Sequence, residues 1–172
     1  MSGVDEMAGA VDVDRLLAGA SSAIAGVPFC WLVSATEDGF ANVRPMGRLM
    51  DGAGVRRDEW TMRFITDGRS RKAAELRRDP RVTIVLENDR SLAFVTLFGT
   101  ARLYESEPDV RARWTSAYAG LFPTETDRAN VMFVEVDVDR MELWIRGVTP
   151  EPFGIHTTTL ERDGEGGWRV TS

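Results

Sequence analysis

The sequence contains one cysteine, one histidine and no long apolar run, and each of these shortages excludes a class of protein. Cys30 alone allows no disulfide within the chain and no multi-cysteine metal site, and its apolar neighbours favour a small buried residue over a reactive thiol. One His and one Cys, with carboxylates that lack ligand spacing, predict no metal site. No stretch approaches the roughly 20 apolar residues of a membrane span, and the acidic start lacks the pattern of a secretion signal. We therefore expect a cytoplasmic chain without a membrane partner.

The chain also lacks an excess of positive charge. It has 21 basic and 27 acidic residues, for a net charge of -6, which argues against binding to nucleic acid or to an anionic membrane surface. Basic residues are nevertheless dense between Arg44 and Arg81, a local charge that favours a small anionic ligand. A length of 172 residues, 43% of them hydrophobic, fits one domain. We expect residues 1–11 to form a flexible tail and residues 12–172 to form the domain.

Hydrophobic spacing predicts a mainly β protein with few helices. Helices are predicted over 12–26, over about ten residues after Arg69 until Pro80, and over 107–121. Residues 51–59 read as a loop rich in helix and strand breakers. About eight strands are predicted, drawn from nine short runs that read as strands, at 29–35, 40–50, 60–66, 82–86, 93–103, 131–138, 141–145, 155–160 and 168–170. Many short antiparallel strands favour a closed or partly closed β-barrel.

The segment from Arg63 to Val85 carries the strongest functional signal. A strand that ends at Thr66 and Asp67 leads through a turn into a helix whose start carries Ser70, Arg71 and Lys72. A helix start exposes unpaired N–H groups and positive potential, so cations there are costly unless an anion neutralises them. The pattern favours phosphate binding. It also fits a plain alternative, in which Ser70 caps the helix and the two cations are solvated.

The order of this segment, from Thr66-Asp67 through Ser70-Arg71-Lys72 to Asp79-Pro80-Arg81-Val82, resembles the flavin-phosphate segment of the pyridoxamine 5'-phosphate oxidase-like FMN-binding split barrels. The likeness extends over residues 29–170. It implies a mainly β fold, an antiparallel split β-barrel with flanking helices. It further implies a homodimer that binds FMN where the two subunits meet.

The resemblance also implies a set of cofactor-binding residues. Arg44, Pro45, Met46 and Gly47 match the strand whose backbone follows the edge of the flavin ring, although Pro45 also suits an edge strand with an exposed Arg44. Further matches are Thr66 and Asp67 near the ribityl phosphate chain, Ser70, Arg71 and Lys72 at the phosphate, and Trp144 reaching the flavin from the neighbouring subunit. Trp144 on an apolar strand equally suits a core position.

Within the family, the chain looks similar to the general stress protein 26 branch, given Trp114, Leu121-Phe122-Pro123 and Trp144. It departs from the true oxidases at three positions. Gly154 and Thr158 stand where the oxidases have arginines that bind substrate and cofactor, and Phe94 stands where they have a glutamine. His156 remains, either as a structural residue or as a catalytic one, and no catalytic residue is assigned. We expect no true pyridoxamine phosphate oxidase activity.

The sequence therefore predicts an FMN-binding flavoprotein, an oxidoreductase of unknown substrate. Two other functions stay open. One is a flavin-binding or stress-response module without turnover. The other is a relative that binds a deazaflavin or haem.

Overall fold

The computed structural model describes residues 12–50 and 60–172. The tail expected at residues 1–11 and the loop expected at 51–59 lie outside the described residues. Helices in these ranges are α1 (Val13–Ile24), α2 (Arg71–Arg78), α3 (Glu107–Arg113) and α4 (Glu125–Ala129), with a short 3-10 turn at Ser116–Tyr118. The strands are β1 (Phe29–Ala35), β2 (Ala41–Gly47), β3 (Thr61–Asp67), β4 (Arg81–Asn88), β5 (Ala93–Tyr104), β6 (Val131–Ile145), β7 (Thr158–Arg162) and β8 (Trp168–Val170).

All strand pairs are antiparallel, and they form one sheet in the order β2-β1-β4-β5-β6-β7-β8. The 15-residue strand β6 organises the other end of the sheet. Its first half pairs with β3 along one edge, its second half pairs with β7 along the same edge, and β5 pairs with it along the other. Because β6 pairs with three other strands along its length, the sheet curls around the hydrophobic core.

The sequence predicts a closed or partly closed barrel, and full closure is wrong, because the sheet is open between β2 and β3. In the described part of the chain no ladder joins these strands. One backbone hydrogen bond connects the two sides of this opening. The Leu49 N–H, just beyond β2, donates to the Arg63 carbonyl in β3 at 2.9 Å. The mainly β, antiparallel architecture with flanking helices is confirmed.

The core lies inside the curl and follows the period-2 alternation of the strands. Leu32, Phe64, Ile84, Leu97 and Met141 are at most 1% exposed. Helix α1 packs its apolar face against β4, β5 and β6. It begins at Asp12, whose carboxylate accepts hydrogen bonds from the backbone N–H groups of Asp14 and Arg15, as an N-cap residue does. Among the described helices, none is both long and apolar enough to cross a bilayer.

The other side of the sheet is also apolar, and we call it the outward face. It is formed by Phe29, Trp31, Val33, Val43, Val85, Phe94, Phe98 and Trp144, all half-buried or exposed. Strand register brings these side chains together, since Trp31 lies opposite Val85 and Phe94 lies opposite Trp144. An apolar face of this extent on a single chain is unusual for a monomer.

Several predicted elements have different bounds in the structure. The helix predicted over 107–121 ends at Arg113, because Trp114 has an extended backbone that turns its ring onto Tyr118 and Phe122. The two strands predicted over 131–138 and 141–145 are one strand, in which Asp139 is the extra residue of a bulge opposite Phe98 and Gly99. The strand predicted over 155–160 begins only at Thr158.

Candidate functional site

The candidate site lies at the start of α2, directly after strand β3. The Asp67 carbonyl accepts a hydrogen bond from the Ser70 N–H, which closes the turn. Ser70 then caps the helix, and its hydroxyl accepts from the Ala73 N–H at 3.3 Å. Arg71 and Lys72 are the first two helical residues, so their N–H groups have no partner within the helix. The capping role expected for Ser70 is therefore present, together with a helix start that can receive an anion.

A buried carboxylate lies among the cations of this region. Glu75, one turn into α2, is 5% exposed. Arg44 from β2 donates to Glu75 Oε2 at 2.7 Å, and Arg71 Nε lies 3.6 Å from Oε1. Ser34 and Asn42 donate to the same carboxylate at 2.6 and 2.8 Å. Burial raises the pKa of Glu75, but the hydrogen bonds from Ser34, Asn42 and Arg44 together lower it by more. The pKa of Glu75 therefore lies below its usual value.

Lys72 completes the cluster without an ion pair of its own among residues 12–50 and 60–172. It is half-buried, and its pKa is lowered by burial and by the charge of Arg44, although Asp67 opposes this. Arg71 is 79% exposed at its side chain. Three cations around one carboxylate give the start of α2 a net positive charge. An anion bound here would relieve the repulsion that Lys72 experiences.

Thr66 and Asp67 occupy the end of β3 beside this cluster. Thr66 is 6% exposed, with its side chain on the inward side of the strand. The Asp67 carboxylate accepts from both the backbone N–H and the guanidinium of Arg69, which lowers the pKa of Asp67 to about 2. Arg69 also reaches Asp127 at 3.1 Å. Asp67 thus holds the turn in shape through Arg69.

The remaining predicted residues divide between the two faces of the sheet. Met46 is buried, whereas Pro45 and Gly47 are exposed on an edge strand. Arg44 is not simply exposed, since its guanidinium is bound to Ser34 and Glu75. Trp144 lies half-buried on the outward face, and this position excludes the alternative that it belongs to the core. The structure therefore brings Arg44, Thr66, Asp67, Ser70, Arg71 and Lys72 together and leaves Trp144 on the opposite face.

Sequence reasoning missed Glu75 and the two side chains that bind it with Arg44. One signal was available, because Glu75 is four residues after Arg71 and an i,i+4 pair shares a helix face. No local pattern connects Glu75 to Ser34 and Asn42, which are 41 and 33 residues away.

A second feature missed from the sequence is a groove of about 440 Å³ on the far side of β3, between that strand and the segment after α3. Arg63 and Arg113 approach Glu135 in its wall, at 3.8 and 3.3 Å. Tyr118 and Phe133 supply aromatic surface. The groove combines apolar walls with a few charged groups, as small-molecule sites do.

His156 and Cys30 carry no comparable arrangement. His156 is exposed in the turns before β7. Cys30 is buried, and burial raises the pKa of its thiol to about 12, so the predicted inert role is supported by its environment.

A family model described as pyridoxamine 5'-phosphate oxidase matches residues 19–145, well over half of the chain. No curated protein matches the sequence significantly. Among solved structures, a protein from Clostridium acetobutylicum related to general stress protein 26 has a TM-score of 0.67 at 14% identity, over 86% of this chain and 95% of that one. An FMN-binding protein from Nostoc punctiforme, related to pyridoxamine 5'-phosphate oxidase, has a TM-score of 0.63 at 16% identity, over 92% and 94%.

An F420 reductase has a TM-score of 0.54 at 16% identity, over 72% of this chain and 95% of that one. At such identities the structures show a common fold. The extent of the family match confirms the family resemblance seen in the sequence, and the chain belongs to the pyridoxamine 5'-phosphate oxidase family.

Proposed function

We propose that the chain is an FMN-binding flavoprotein and a flavin-dependent oxidoreductase. The observation that carries this proposal is the cationic start of α2, where Arg71 and Lys72 follow the cap residue Ser70 and Lys72 forms no ion pair within the described ranges. A phosphate dianion fits such a place, because helix N–H groups, an Arg fork and a Lys point charge all favour it. When bound, the isoalloxazine ring would supply hydride or electron transfer.

The protein's own contribution would be binding and orientation. Arg71 and Lys72 would hold the phosphate, while the turn shaped by Asp67 and Ser70 would present their N–H groups to it. Pro45 and Gly47 are exposed on the edge strand β2, and the flat ring would lie along the edge of this strand. Thr66, buried at the end of β3, would lie beside the chain between ring and phosphate.

The outward face supports a homodimer as the functional unit. Phe29, Trp31 and Val43 are 66%, 49% and 54% exposed, and burial of such a surface against a second copy would stabilise both chains. In such a dimer Trp144 would lie at the subunit interface, where it can reach the partner's cofactor.

The groove beside β3 supports a place for a small substrate. It adjoins Leu49, two residues after the predicted ring-binding strand, and it presents Arg63, Arg113 and the ring of Tyr118. The two guanidinium groups favour an anionic substrate or one with several acceptor oxygens.

A deazaflavin is the second candidate cofactor, favoured by the fold that the chain shares with an F420 reductase. Both cofactors carry a phosphate, so the α2 start does not separate them. The ring absorbance does.

The test is to titrate the purified chain with FMN, with riboflavin and with a deazaflavin, following fluorescence quenching. We expect FMN to bind at least about tenfold more tightly than riboflavin, a difference of about 1.4 kcal/mol. Equal affinities would remove the phosphate site from the proposal. Oxidation of reduced nicotinamide by the FMN-loaded protein would then distinguish an enzyme from a flavin-binding module without turnover.

A further inference from the structure

Glu75 is placed where it could disable the phosphate site. It lies four residues after Arg71 and three after Lys72, and side chains at both spacings meet on the surface of a helix. A carboxylate that turned toward these two cations would neutralise them. An incoming phosphate would then have to displace an ion pair before it could bind.

The structure turns the carboxylate the other way. Arg44 and Ser34 reach Oε2 at 2.7 and 2.6 Å, and Asn42 reaches Oε1 at 2.8 Å. Arg71 is left with a longer 3.6 Å contact and a side chain that is 79% exposed. Arg44 itself is fixed, since its side chain is 16% exposed and it also donates to Ser34 at 2.7 Å. The strongest interactions of Glu75 are therefore with β1 and β2, away from the helix start.

We infer that Arg44 is a positioning residue, which holds Glu75 against β2 and so leaves Arg71 and Lys72 available to the FMN phosphate. This inference rests on the proposed function. It gives Arg44 an indirect part in binding, because the hydrogen bonds of its two terminal nitrogens to Ser34 and Glu75 aim the guanidinium at this carboxylate. The pKa of Lys72 is lowered by burial and, second, by the charge of Arg44, which agrees with a lysine that lies near this cation.

The test is a double-mutant cycle on FMN and riboflavin affinity. Arg44→Gln should weaken FMN binding by about tenfold, since Glu75 is released toward Arg71 and Lys72. Glu75→Gln alone should leave FMN affinity unchanged or somewhat higher. The double variant Arg44→Gln/Glu75→Gln should recover FMN affinity to within about threefold of the wild-type value, because no carboxylate remains to compete. Riboflavin, which lacks a phosphate, should bind all variants equally.

Arg44→Lys is the conservative variant, and it should keep FMN affinity within about threefold, since a lysine can still pair with Glu75. This variant and Glu75→Gln keep the inference testable if Arg44→Gln does not fold. A double variant as weak as Arg44→Gln would show that Arg44 contacts the phosphate directly, and this would overturn the inference. So would unchanged affinity in Arg44→Gln, or a loss of more than about fivefold in Glu75→Gln. A wild-type chain that binds FMN and riboflavin equally would overturn the proposed function as well, and that result is distinct because it appears before any substitution is made.

Discussion

At the scale of single residues, the two cations at the start of α2 decide whether an anion binds. Replacing Arg71 and Lys72 with Ala should weaken FMN binding by at least about tenfold, because charge-assisted hydrogen bonds contribute about 1.5–3 kcal/mol each. Isothermal titration with FMN measures this. The matched control is Arg77→Ala/Arg78→Ala, which removes the same charge from the other end of α2. If both double variants bind FMN equally well, the phosphate lies elsewhere.

Asp67 should make the free energy of unfolding of the protein depend on pH in the acidic range. Its pKa is about 2 in the folded chain, against an ordinary value of 3.8, because Arg69 stabilises the charged form. A lowered pKa contributes stability above pH 4, and this contribution is lost as the pH falls from about 4 to about 2. Urea unfolding of Asp67→Asn should therefore show a shallower loss of stability over this range than the wild-type chain. Parallel curves for the two proteins would contradict the assignment.

At the scale of elements, the bulge between β5 and β6 allows the sheet to curl. Gly99 lies at the register shift, and a Cβ placed there would lie 2.2 Å from the Asp137 carbonyl oxygen. Backbone atoms cannot yield as a flexible side chain can. Gly99→Ala should lower the free energy of unfolding by about 1–3 kcal/mol or more. The control is Gly120→Ala, where a Cβ meets nothing within 4 Å, and thermal unfolding of the two variants makes the comparison. Equal unfolding temperatures would show that the bulge tolerates a side chain.

At the scale of the whole molecule, the outward face should control assembly. We expect the wild-type chain to be a dimer in light scattering, and Trp31→Glu/Val43→Glu to be a folded monomer with reduced FMN affinity. Both substitutions place charge on exposed positions of the face, so the fold of each chain should survive. Leu121→Glu is the control, since Leu121 is 64% exposed but lies outside that face. A dimer that persists in the double variant would mean that another surface joins the subunits.

The substrate range of the assembled protein is a second property at this scale. FMN-loaded protein should not convert pyridoxamine or pyridoxine 5'-phosphate to pyridoxal 5'-phosphate. The oxidases that the chain resembles have arginines at the positions of Gly154 and Thr158, and neither position suits one in this chain. Gly154 has a φ of +82°, a backbone angle that residues other than glycine rarely adopt. Thr158 is 3% exposed in β7, so an arginine there would have to be buried. Turnover of about 1 per second or more would show that arginines elsewhere, such as Arg63 and Arg113, bind this substrate.

Most of the elements could be predicted because their signals are local. The strands over 29–35 and 168–170 have the expected bounds, since apolar alternation marks both faces of a strand within a few residues. The helix predicted over 107–121 begins at the expected residue but ends at Arg113. The prediction is too long because the apolar spacing beyond that point reflects contacts of Trp114 with Tyr118 and Phe122 that a turn also makes. The prediction of two strands over 131–138 and 141–145 was wrong for a related reason. The bulge interrupts the apolar alternation of β6 without ending the strand.

The sequence by itself determined the cationic helix start, because the cap residue Ser70, the turn at Asp67 and the charges of Arg71 and Lys72 all lie within six residues. Only the tertiary structure decided how those charges are used. Arg44 meets Glu75 across 31 residues, and Ser34 meets it across 41, through the pairing of β1 with β2 and the packing of α2 beside them. Such contacts depend on which strands become neighbours, and strand order follows from burial of the whole core. The apolar outward face, assembled by register from five strands, was hidden from the sequence for the same reason.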